Sequence, residues 1–193
     1  MRSSIEQESV ASVIAFARSF VGDRIERVLY LVPHEDELSG LCDEAIHVLR
    51  EIRLDSMRLG SIYFTWVEEP ELNGHPFRLN VAASTGFVNS TDLTWVDMSS
   101  DLRWQRVCSQ PVLRMRIFEE EASYDNDLRS SRVVTGVEFD IEAFYVQISV
   151  VQPPLNYRRV PLNEPAWMAS NTISVAFPPF DLGTRPDVGV VSI

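Results

Sequence analysis

The sequence predicts an α+β domain: a largely antiparallel sheet covered on one face by two N-terminal helices, followed by an irregular Pro-rich C-terminal segment. Three observations lead there. Apolar residues recur at helical spacing in two stretches before residue 53. From residue 60 to residue 150 the period falls to two. Seven of the eleven prolines then lie between Pro153 and Pro186, a density that excludes most of that segment from central strands. Residues 1–152 are read as the core domain, and residues 153–193 as a segment that packs on it or serves as an arm towards a neighbouring subunit.

The first helix covers about residues 4–21. Ser4 and Gln7 fit a capping box, and Val10, Val13, Ile14, Ala17, Phe20 and Val21 share one face. The run RVLYLV, residues 27–32, reads as a buried strand stopped by Pro33. A second helix is expected after Asp36, with Leu38, Leu41, Cys42, Ala45, Ile46, Leu49 and Ile52 as its stripe. SIYFTWV and FRLNV alternate cleanly and flank EEPELNGHP, whose Asn73-Gly74 signals a hairpin turn. DLTWVDM and RWQRVC read as two further strands.

VLRMRIF places Leu113, Met115 and Ile117 on one face and Arg114 and Arg116 on the other. VVTGVEFDI places Val133, Val137, Phe139 and Ile141 on one face, opposite Glu138 and Asp140. If the two strands pair, the arginine row faces the acid row and fixes the register, because a slip of one residue would invert both faces. Phe144, Val146, Ile148 and Val150 continue in the opposite parity, so a bulge or tight bend is expected near Glu142-Ala143. TISVAF, residues 172–177, is the one strand expected in the C-terminal segment, at a sheet edge.

With 193 residues, 45% of them hydrophobic and 10% aromatic, the chain suits one domain with a real core. The net charge of −11 disfavours nucleic acid and anionic membrane surfaces and favours a basic protein partner. No lysine occurs, which excludes lysine nucleophiles and the phosphate-binding P-loop. The N-terminal MRSSIEQES lacks a signal-peptide apolar region, and no apolar run could span a bilayer, so a cytoplasmic location is expected.

The stretch IFEEEASYDNDLRSSR holds five carboxylates in nine residues: Glu119, Glu120, Glu121, Asp125 and Asp127. The run beginning at Asp125 starts like a calcium loop, but Arg129, Ser130 and Gly136 stand where that loop needs a ligand, a glycine and a bidentate glutamate. Catalytic carboxylates need a concave setting that splits their pKa values, which consecutive glutamates on a loop do not provide. The stretch reads as a solvated run or a contact surface on a long connection between strands. A second acidic loop holds Glu68, Glu69 and Glu71 beside His75, without metal-ligand spacing. His34, Cys42 and His47 lie close in sequence but diverge on a helix, with Cys42 on its apolar stripe and His47 off it. The Arg158-Arg159 pair lacks a phosphate-binding context, and the tryptophans read as sheet packing.

No metal, cofactor or catalytic residue is expected, and enzymatic activity is disfavoured. The expected function is that of an acidic binding protein, most concretely an immunity protein or inhibitor that neutralises a basic toxin or nuclease. Its contacts would be Glu119, Glu120, Glu121, Asp125, Asp127, Glu68, Glu69 and Glu71. The alternatives are an assembly protein, such as a phage or virion component, that oligomerises through residues 153–193, and a small hydrolase without a local motif.

Overall fold

A computed structural model describes residues 4–33, 46–68, 77–84, 93–123, 130–142, 144–151, 172–178 and 187–192. It corrects the expected fold class. The structure is mostly β, with 63% strand in two antiparallel sheets and two helices among the described residues. The elements are α1 (Ser4–Phe20), β1 (Ile25–Pro33), β2 (Ile46–Leu49), β3 (Glu51–Ser56), β4 (Gly60–Glu68), β5 (Phe77–Ala82), β6 (Leu93–Asp97), α2 (Leu102–Gln105), β7 (Arg114–Ser123), β8 (Ser130–Ile141), β9 (Phe144–Val151), β10 (Thr172–Ala176) and β11 (Asp187–Ser192). The first sheet has the order β5-β4-β3-β1-β6 and the second β11-β7-β8-β9-β10-β2.

Each sheet turns one apolar face to a shared core. In the first, Val96, Tyr30, Ile52, Phe64 and Val81 lie side by side across the five strands. In the second, Met115, Phe139 and Val146 form one row, and Ile117, Val137, Ile148 and Val175 the next. Phe64 from the first sheet meets Phe139 from the second edge to face at 5.9 Å. Phe20 of α1 adds a second edge contact to Phe139 at 5.4 Å, and Phe16 reaches Phe64 at 5.7 Å. The apolar stripe of α1 is thus buried where the two sheets meet, with Val13, Ala17 and Phe20 at most 3% exposed.

The expected second helix is overturned over nearly its whole second half. Residues 34–45 lie outside the described residues, but β2 and β3 are strands. β2 pairs with β10 in the second sheet, and β3 pairs with β1 and β4 in the first. Between them the chain passes from sheet to sheet at Arg50, whose N–H donates to the Leu31 carbonyl at 3.0 Å. This corner shifts the inward parity by one residue. Leu49, Ile52 and Leu54 all face the core, and the three-residue step from 49 to 52 imitates a helical period.

RWQRVC is likewise a short helix and its following turns, not a strand. Trp104, Val107 and the half-buried Cys108 point inward at helical spacing, and Asp101 caps α2 by accepting the Arg103 N–H at 2.9 Å. TISVAF is not an edge strand, since β10 lies between β9 and β2. The β7–β8 register agrees with the sequence reading: Met115 opposes Phe139, Arg116 opposes Glu138 and Arg114 opposes Asp140. The expected bend is the tight β8–β9 turn, where Ile141 opposes Phe144 and Glu142 takes φ +30°.

Asp23, 1% exposed, holds the end of α1 to the β3–β4 turn. Its carboxylate accepts from Ser56 Oγ at 2.5 Å and from the backbone N–H groups of Arg24 at 2.8 Å and Arg58 at 3.2 Å. The Arg58 guanidinium lies 3.5 Å away.

Candidate functional site

The acidic stretch is not one long loop. β7 carries it in strand conformation as far as Ser123, and β8 resumes at Ser130, so only residues 124–129 lie between. Among the described residues this pair outruns its neighbours. β11 opposes β7 only from Arg114 to Phe118, and β9 opposes β8 only from Gly136 to Ile141. Among the described residues, 119–123 and 130–134 therefore pair with each other alone, as a ribbon about 17 Å long at the usual rise per residue. A bulge marks its base. Phe118 opposes Gly136 and Glu119 opposes Val134, leaving Thr135 as the extra residue.

Charged residues are poor strand formers. The ribbon is held instead by its pairing and by Val133 and Val134, which are 4% and 2% exposed. Glu119 sits opposite Val134, a core residue, and is itself 7% exposed, with Arg132 Nη1 3.8 Å from its carboxylate. Glu120 and Glu121 lie in register with Val133 and Arg132. Glu68 is exposed at the end of β4, opposite Phe77. Asp125, Asp127, Glu69 and Glu71 lie outside the described residues, as do His34, Cys42, His75, Arg158 and Arg159. Among the described residues the structure therefore brings together Glu119, Glu120 and Glu121 on one strand and leaves Glu68 on the other sheet.

The outer face of the second sheet carries the cross-strand charges. Arg114 Nε donates to Asp140 at 2.5 Å. Arg116 pairs with Glu138 and lies 3.5 Å from Asp140. Gln147 on β9 donates to the second Glu138 oxygen at 2.7 Å. Glu138 is 3% exposed, and burial pushes its carboxyl above the usual range, with Gln147 and Arg116 opposing that shift. Leu113, Arg114, Arg116, Asp140, Glu142, Phe144 and Tyr145 line an open groove of about 560 Å³ beside this lattice. Its two arginines already face carboxylates of the same sheet.

A third constellation was not foreseen. His47 occupies the position next to Val175 in the inner row that runs Ile117, Val137, Ile148, Val175. It is fully buried, whereas a helical reading placed it off the apolar face. The Trp104 indole N–H donates to Tyr30 Oη at 2.6 Å, and that hydroxyl lies 2.8 Å from His47 Nδ1. Phe177, which follows β10, meets His47 edge to face at 5.1 Å and Trp104 at 5.3 Å. The Arg103 guanidinium lies over the Phe177 ring, 5.5 Å from its centroid. Burial first, then the Arg103 charge, lower the imidazole pKa to about 4, so the ring is neutral near pH 7. The signal available in the sequence was the parity of IHVL read as a strand.

The described residues contain no group of three or more His, Cys, Asp and Glu side chains placed to hold a metal. Burial raises the Cys108 thiol to about 11, the direction of an inert structural cysteine. No helix among the described residues is long and apolar enough to cross a membrane. Comparison of the chain with protein-family models, curated proteins and solved structures finds no match.

Proposed function

We propose that the protein is an acidic, non-enzymatic binding protein whose partner is a basic protein, most concretely a toxin or nuclease that it neutralises. The observation that carries this reading is the β7–β8 ribbon, which among the described residues extends past both neighbouring strands and, with the connection at its tip, bears the densest run of carboxylates in a chain of net charge −11. An extended acidic arm suits a cleft built for phosphate, since carboxylates on it meet the same guanidinium and ammonium groups. Glu119, buried against Arg132, supports the base of the arm. Glu120, Glu121, Asp125 and Asp127 then provide the contact, and Glu68, Glu69 and Glu71 provide a second acidic surface.

The test is calorimetric titration of basic nucleases at low and high salt. The expected result is binding that weakens by at least about tenfold between dilute and ~0.5 M salt, because exposed charge pairs are screened within a Debye length. Replacing Glu120, Glu121, Asp125 and Asp127 by Gln or Asn should produce a comparable loss at low salt. Binding indifferent to both salt and these substitutions refutes the ribbon's role.

A further inference from the structure

The Tyr30–His47–Trp104 cluster joins parts of the chain that no continuous strand ladder holds together. Tyr30 is on β1 in the first sheet, His47 on β2 in the second, and Trp104 on α2. Phe177 at the end of β10 closes over both rings. The hydrogen bonds suit a neutral imidazole, which accepts from the Tyr30 hydroxyl at Nδ1 while that hydroxyl accepts from the indole.

An imidazolium does not fit the same space. Both of its nitrogens are donors, so the Tyr30–His47 bond must reverse. The added proton falls on Nδ1, where the Tyr30 hydroxyl now donates, while the N–H already at Nε2, a buried atom with no hydrogen-bond partner, cannot help to solvate the charge. A cation there has little to offset its lost hydration. Among the described residues, the charges acting on His47 are Arg103, which opposes a second positive charge, and Asp101, which favours one. Asp101 is already held by Arg103, with Nε at 3.0 Å and Nη2 at 2.9 Å. β1 brings the Tyr30 phenol, and β10 with Phe177 brings no titratable side chain.

We propose that this cluster is a proton-operated latch between the two sheets: proton uptake at His47 frees β2, α2 and Phe177 from β1, while β7, β8 and β9 stay paired. Those three strands face the core with Met115, Ile117, Val137, Phe139, Val146 and Ile148, none of which titrates. The opened state has an ordinary histidine, of pKa near 6.5, and the closed state a histidine that resists protonation down to about 4. Closure is therefore fully favoured above pH 6.5. It weakens as the pH falls through that window and loses nothing further below it.

Hydrogen exchange followed by mass spectrometry on the whole protein, from pH 7 to about 4.5 and corrected for the intrinsic pH dependence of exchange, tests this. The expected result is that opening of peptides covering residues 46–49 and 102–108 rises by roughly tenfold per pH unit below 6.5, the slope of one proton. Peptides covering residues 137–141 and 144–148 should show no rise in opening over the same interval, because burial holds the Glu138 carboxyl above its usual range and its protonation favours the paired strands. His47→Phe should remove the slope, and Tyr30→Phe, which keeps the titrating ring, should retain it from a less protected baseline. Should His47→Phe fail to fold, the wild-type comparison decides alone. A flat response at residues 46–49, or an equal rise in all these peptides, overturns the latch.

Discussion

The cross-strand charge lattice makes a quantitative prediction for Arg116→Leu. Arg116 faces Glu138, which is 3% exposed and also accepts from Gln147 at 2.7 Å. Removing one member of a buried pair costs about 3–5 kcal/mol. Arg116 keeps 29% of its side chain in solvent, so part of its field is screened, and about 2–3 kcal/mol is expected at pH 7. The loss should also depend on pH. Burial already holds the Glu138 carboxyl above its usual range, and Arg116 is one of the groups that restrain it. Without Arg116 the carboxyl rises further, so its desolvation penalty is complete near neutrality and fades as the pH falls towards the ordinary carboxylate value.

Urea denaturation of wild type, Arg116→Leu, Glu138→Leu and the double variant at pH 7 and about pH 5 measures this, with an unchanged slope against urea as the check on two-state behaviour. The double variant should lie within about 1 kcal/mol of wild type, because two apolar groups leave no buried charge unpaired. The His47 contribution is common to all four proteins and cancels. A single-variant loss below about 1 kcal/mol at pH 7, or a double variant as damaged as the single, would refute the reasoning.

Two further substitutions probe the frame around these features. Asp23→Ala removes three hydrogen bonds and an ion pair from a carboxylate 1% exposed. It should lower the unfolding free energy by about 3 kcal/mol, and Asp23→Asn by about half as much, with equal losses arguing that the charge is irrelevant. At Gly136 an added Cβ would meet the Ile148 carbonyl oxygen and Ser149 Cβ, each at 3.0 Å. Gly136→Ala should therefore cost about 1–3 kcal/mol, seen as a lower urea midpoint, whereas a stabilised variant would show that β9 yields easily.

The fold was legible where one face of a strand is apolar and the other charged. The Arg114-Asp140 and Arg116-Glu138 pairs could be aligned from VLRMRIF and VVTGVEFDI alone, since a single register satisfies both faces. The helix expected through residue 52 failed for a geometric reason: passage between sheets at Arg50 breaks the two-residue period and leaves a three-residue step. Trp104 and Val107 carried a true helical step that was read as a strand. The acidic ribbon was hidden because Glu119, Glu120 and Glu121 lack strand propensity, and only the partner strand with Val133 and Val134 shows why they extend. His47 was misplaced with its helix, and its burial follows from pairing with Val175, which the local sequence does not reveal.

The corner at Arg50 also bears on how the chain acquires its shape. β3 can pair with β1 and β4 using residues that are neighbours in synthesis, but β2, joined to it by one residue, waits for Thr172–Ala176. Leu49 and its partner Ile173 are separated by 124 positions (173 minus 49). Such distant closure pays its loop entropy before any contact repays it, which makes folding slow. During translation the first sheet can assemble while β2 is still unpaired, so the nascent chain depends on late residues to satisfy the edge of β2 that β10 covers.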